Sequence, residues 1–156
     1  MKLQHDIEVR FQGVMETLLE TTGASRTTLR LDVPSMDLIL DTIAAEATAH
    51  GAQTLKGSKS ITDLRNTVAP VKYLAEHLTI LVQDDCSTAI PAPPPSLIEH
   101  YGVKAQMLGP VIENGSLIGV ISVHYNIGVR NWSEQDVAHL RQAMEQVSAI
   151  LGIQSS

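Results

Sequence analysis

The residues best suited to chemistry fall in two short stretches. Cys86 follows Asp84 and Asp85 and precedes Ser87. A thiol there can serve as a nucleophile or redox centre. A neighbouring carboxylate can act as general base, anchor a ligand ammonium, or cap the following turn by accepting from its amides. Further along, Ser122 and His124 take alternate positions in an otherwise apolar run, Leu117 to Tyr125, which puts both on one face of a strand. Polar groups pointed inward need partners. Either the pair lines a pocket, with His124 donating to a ligand carboxylate or carbonyl, or it lies at the sheet's end against a neighbour. Cys86, Asp85 and His124 are therefore the catalytic candidates.

Other side chains extend this set. Arg65, in Asp63-Leu64-Arg65-Asn66, can clamp an anionic ligand with two parallel N–H donors or lie on a solvated helix surface. Tyr73 and Tyr101 stand out because aromatic residues make up only 3% of the chain; each can close a pocket from its helix or pack at a core rim. Six histidines invite a metal, but no two share an i,i+4 or other short spacing, so no metal site is expected. A single cysteine excludes an internal disulfide and a cysteine-built zinc site. No glycine-rich phosphate loop of P-loop or dinucleotide type is present.

The elements that must position these groups follow from periodicity. Leu3, Ile7, Phe11, Val14, Met15, Leu18 and Leu19 recur at spacings of three and four, the stripe of an amphipathic helix that Gly23 ends. In Thr27 to Val33, Leu29, Leu31 and Val33 alternate with polar residues, which predicts a half-buried strand stopped by Pro34. Residues 37–49 are ambiguous: Asp37 to Asp41 suits a strand, whereas the alanine-rich run Ala44 to Ala49 favours a helix. Ser60 to His77 reads as helical, with Pro70 marking a kink or a fresh start. Thr79 to Val82 reads as a central strand, Pro91 to Pro95 as a stiff connection, and Ser96 to Tyr101 as a two-turn helix capped by Ser96.

Asn114-Gly115 predicts a type I′ turn joining two antiparallel strands. Counting back from Glu113 opposite Ser116 sets Met107 opposite Ser122, which makes Met107 a further pocket candidate. A bulge at Gly109-Pro110 would reverse that face. Trp132-Ser133 with Asp136 and Val137 supplies a cap, a capping box and a hydrophobic staple for a last helix striped by Val137, Leu140, Met144, Val147 and Leu151.

With 156 residues and 44% hydrophobic content, the chain is expected to form one globular domain spanning 1–156. Eleven Lys and Arg against 17 Asp and Glu give a net charge of −6, and no basic cluster offers phosphates a footing, so no nucleic-acid partner is expected. The start MKLQHDIEVRF lacks the apolar core of a signal peptide and no apolar run approaches the roughly 20 residues of a membrane span, so a cytoplasmic location without membrane association is expected.

In this order, Ile80 to Asp85, Pro93 to Val103, Gly109-Pro110-Val111 through Asn114-Gly115-Ser116-Leu117-Ile118-Gly119-Val120 to Tyr125, and Trp132-Ser133-Glu134-Gln135-Asp136-Val137 resemble the GAF domain family from about Leu3 to Leu151. The resemblance implies an α/β (α+β) fold: a central antiparallel sheet of five or six strands, terminal helices on one face, and a ligand pocket under loops and short helices on the other. It also implies that residues 37–47 form a second strand. Asp84 and Asp85 become pocket candidates, because the loop after the central strand borders the pocket in this family.

GAF domains commonly regulate an attached partner; here no room for one is expected, and the chain is expected to act alone. In bilin-binding members the attachment cysteine is commonly followed by histidine, and here Ser87 follows Cys86. The stand-alone methionine-sulfoxide reductases of this fold need a second thiol, which is missing. The expectation is a homodimer paired through its terminal helices that senses a small organic metabolite without a cofactor. Its ligand-binding candidates are Arg65, Tyr73, Asp84, Asp85, Tyr101, Met107, Ser122 and His124. The alternative is a small enzyme, a hydrolase, isomerase or reductase, on the same scaffold.

Overall fold

A computed structural model describes residues 2–57 and 62–153. The side chain of Leu3, at the head of the first predicted stripe, and residues 60 and 61, at the start of the predicted central helix, lie outside the described residues. Helix α1 spans Lys2–Thr22 and ends at Gly23, whose φ of +65° reverses the chain at the cost only glycine avoids. Strands β1 (Arg26–Leu31), β2 (Ala45–Thr48), β3 (Leu81–Gln83), β4 (Ala105–Glu113) and β5 (Ser116–Tyr125) form one sheet in the order β2-β1-β5-β4-β3. Every neighbouring pair is antiparallel. Short helices α2 (Leu64–Thr67), α3 (Ala69–His77) and α4 (Pro95–Glu99) precede the hairpin, and α5 (Glu134–Leu151) follows it.

Alternation along the strands gives the sheet two unlike faces. One carries Leu29, Leu31, Met107, Ile121 and Val123, all fully buried against Phe11, Met15, Leu140 and Val147 of α1 and α5. Burying each such side chain is worth roughly 1.5–3 kcal/mol, so this layer fixes the sheet on its terminal helices. Gly109 allows the close approach of α5, since a Cβ there would stand 2.7 Å from Met144 Sδ. The second, smaller cluster joins Leu64 of α2, Val68 between the two helices, and Val71 and Leu74 of α3 to Leu81, Leu108 and Val120 on the opposite face.

Four sequence expectations change. Strand β3, read as central, is an edge of the sheet, and α4 starts at Pro95, so Ser96 lies inside the helix instead of capping it. The second strand is confined to Ala45–Thr48, within the run whose composition favours a helix; residues 37–41 contribute only the bridge Val33 to Leu38. Ala45 and Ala47 turn inward beneath α1, where small side chains let the helix lie close, and Gln12 Nε2 donates to Glu46 O at 2.7 Å. Tertiary packing thus overrides intrinsic preference. The hairpin does carry a register shift, but between Val111 and Ile112 rather than at Gly109-Pro110. Met107 consequently faces Val123, not Ser122, and points into the core under the terminal helices. Pro70 marks a fresh start rather than a kink, because α2 ends at Thr67 and α3 begins at Ala69.

Candidate functional site

The face turned away from α1 and α5 carries polar rows that cross the sheet. In one, Arg26 of β1 is opposite His124 of β5, His124 opposite Gln106 of β4, and Gln106 opposite Gln83 of β3. Thr28, Ser122 and Leu108 form the next row, and Arg30 lies beyond, opposite Val120. Hydrogen bonds tie the first row together: Arg26 Nη1 to His124 Nδ1 at 3.0 Å, Gln106 Nε2 to Gln83 Oε1 at 2.8 Å, and Gln83 Nε2 to Pro91 O at 2.6 Å.

Arg26 is 0% exposed, and its guanidinium also donates twice to Gln53 O, at 2.6 and 2.9 Å. Arg30 Nη1 donates to Asp41 O at 2.7 Å and to Leu40 O at 3.4 Å. Burial holds both arginines below their ordinary range, partly offset by Glu46 and Tyr101 for Arg26 and by Asp41 and Glu46 for Arg30. Among the described residues neither has a carboxylate partner within 4 Å. Asp41 instead accepts from the amides of Asp63 and Leu64, and Glu46 from Thr54 Oγ1 and the amide of Leu55.

An arginine can only donate, so His124 Nδ1 accepts and the neutral ring carries its proton on Nε2. Burial, reinforced by Arg26 and then Arg30, pushes the His124 imidazole down to about 3, so the ring is uncharged at neutral pH. Among the described residues the ring's hydrogen bond is the one from Arg26 at Nδ1, and none is made by Nε2–H. His124 is thereby a fixed donor rather than a proton shuttle.

Above these rows lies a cavity of about 70 Å³. Its floor is Thr28, Arg30, Gln106, Leu108, Val120, Ser122 and His124 from the sheet, and its roof is Leu64, Val68, Pro70, Val71, Pro94, Ser96, Leu97 and Tyr101, with Asp41 and Leu55 at the side. The Tyr101 ring lies beside Arg26, with Cζ 5.8 Å from the ring centroid. One wall is polar, the other apolar, and the arginines strap the loops at residues 40–41 and 53 to the sheet.

The family model of the GAF domain matches residues 6–151. The chain belongs to the GAF family. The GAF domain region of a Geobacter sulfurreducens PCA protein has the same fold at a TM-score of 0.72, with 15% identity over 97% of each chain. So does the red light-absorbing state of NpR6012g4, a red/green cyanobacteriochrome, at a TM-score of 0.71 and 21% identity over 94% of this chain and 95% of that one. The blue-light absorbing form of the Thermosynechococcus elongatus PixJ GAF domain follows at 0.68 and 17%, covering 96% and 85%. No curated protein matches the sequence. Among the described residues, no helix of this GAF domain is long and apolar enough to cross a membrane.

The structure brings together three of the residues singled out from the sequence, Tyr101, Ser122 and His124, at the GAF cavity. The others stand apart from its lining. Arg65 pairs with Asp32 at 3.3 Å on the surface, and Tyr73 packs on His77 with ring centroids 4.3 Å apart. Asp84 accepts from the amide of Trp132, while Asp85 caps its turn by accepting from Ser87 N and Oγ, which hold its carboxyl below the usual range. Cys86 is buried, its thiol pushed up to about 12 by burial and by Asp85. Met107 lies on the far face. Sequence reading missed Arg26, Thr28, Arg30 and Gln106. For Arg26, Thr28 and Arg30 the signal was the polar half of the alternation in β1, which a buried position in mid-sheet turns from a solvent face into a site; Gln106 is placed there by its pairing with His124.

Proposed function

We propose that this GAF domain is a small-molecule sensor whose ligand enters the cavity between the sheet and the roof of α2, α3 and α4. One observation carries the reading: Arg30, Ser122 and His124 line the cavity floor, and among the described residues no acceptor meets the Nε–Nη2 edge of Arg30 or the Nε2–H of His124. In folded proteins buried polar groups are as a rule satisfied. A ligand that completes these groups draws on straps already attached to the loops at residues 40–41 and 53, so occupancy is coupled to the order of those loops.

The cyanobacteriochrome neighbours absorb light, but a pigment of that kind does not fit here. Larger ligands occupy clefts of about 300–1,000 Å³, against about 70 Å³ in this cavity. Cys86, the only thiol, lies outside the lining. The same reading includes a homodimer paired through α1 and α5, the helices that cover the other face. Light scattering that finds a monomer at working concentration removes that part and leaves the cavity reading untouched.

The test is a thermal-shift screen of compact polar metabolites against the wild type and Ser122→Leu, which fills the floor. A ligand at 100 times its Kd adds about 2.7 kcal/mol, and the filled variant loses that shift. A screen that is flat for the wild type, or a shift that survives in Ser122→Leu, overturns the proposal.

A further inference from the structure

We infer that the cavity is built for a compact carboxylate with a short apolar tail, its oxygens met by the unshared edge of Arg30 and by the Nε2–H of His124 and the hydroxyl of Ser122. This rests on the sensor reading and narrows its ligand.

The guanidinium of Arg30 is anchored to the loop through Nη1 alone, by Leu40 O and Asp41 O. That leaves the Nε–Nη2 edge without a partner among the described residues, and this edge matches the two oxygens of a carboxylate. The nearby carboxylates do not compete for it, since the oxygens of Asp41 and of Glu46 are engaged by backbone amides and Thr54. His124 adds a donor that cannot become an acceptor while Arg26 holds Nδ1. The hydroxyls of Ser122 and Thr28 rotate to donate wherever an oxygen sits.

The opposite wall, formed by Leu64, Val68, Val71 and Leu97, offers nothing to an inorganic anion and suits a hydrocarbon tail. Size limits that tail. An apolar cavity of about 150 Å³ admits benzene, so this cavity of about 70 Å³ suits a carboxylate of only a few carbons.

The experiment titrates the 15N-labelled chain with sodium acetate, propionate and butyrate at constant chloride-balanced ionic strength. Propionamide, sodium nitrate and inorganic phosphate serve as comparisons. The readouts are the His124 ring nitrogens and the amides of Ser122 and His124. Propionate is expected to shift them saturably. Arg30→Gln is expected to weaken it roughly ten- to a hundred-fold, the worth of a charge-assisted bond. Arg30→Lys, which keeps the charge and can keep the loop anchor, is also expected to bind more weakly, because it lacks the fork.

Propionamide binding as tightly as propionate overturns charge recognition and leaves the sensor reading standing. Nitrate or phosphate matching propionate overturns the tail, and Arg30→Lys matching the wild type overturns the bidentate contact. Silence from every carboxylate overturns the inference. If a panel of neutral metabolites is silent as well, the sensor reading falls with it.

Discussion

Acidification should destabilise the protein through His124 in particular. An unperturbed histidine titrates near 6.5, whereas His124 is pushed down to about 3 by burial and by Arg26 and Arg30. The folded-state value is the lower one, so above pH 6.5 both states are neutral and the group is silent. Below that, the unfolded chain takes up a proton that the folded one refuses, and stability falls with pH until about pH 3. Each pH unit is worth about 1.4 kcal/mol, so at pH 4.5 the loss from this one ring is roughly 2–3 kcal/mol.

His124→Asn isolates the effect, because its amide oxygen can still accept from Arg26 but cannot titrate. Urea unfolding at pH 7.5 and 4.5 is then compared for the two proteins. Titrations common to both cancel in the difference, and the wild type is expected to lose about 2–3 kcal/mol more than the variant. Equal losses, or an imidazolium signature in the 15N spectrum of His124 at pH 5, would refute the assignment of a buried ring held neutral by an arginine.

Two further outcomes follow from the packing. Gly109→Val drives a side chain into Met144 Sδ and should cost about 1–3 kcal/mol in denaturant unfolding, part of it recovered by Met144→Ala; a neutral substitution would show that α5 does not lie so close. Cys86, buried and with its thiol up at about 12, should resist iodoacetamide at pH 8 in the native protein and react rapidly in denaturant; fast native labelling would contradict its placement.

Features encoded by neighbouring residues were readable in the sequence. The turn at Asn114-Gly115 forms with φ of 51° and 75°, and Ser133 and Asp136 make both halves of the capping box, because each depends only on a few adjacent backbone groups. Gly23 ends α1 for the same reason. The candidate site was only half visible. Ser122 and His124 stood out as polar intruders in an apolar strand, but in β1 the polar positions looked like an ordinary outer face. Only the sheet order, with β1 between β2 and β5, and the loops at residues 40–41 and 53 that the arginines bond, encloses them. Met107 was misplaced by a single extra residue opposite Val111 and Ile112, a long-range pairing detail that no local signal reports. The alanine strand was hidden because its conformation is set by α1 lying over it.

The polar rows have a consequence for folding as well. Sliding β1 by one position against β5 would rotate Arg26, Thr28 and Arg30 into the oily layer beneath the terminal helices, stranding two ionised groups where water cannot follow, at several kcal/mol each. Misaligned sheets are therefore rejected on charge alone, so the side chains that await a guest also act as the strand's proofreaders.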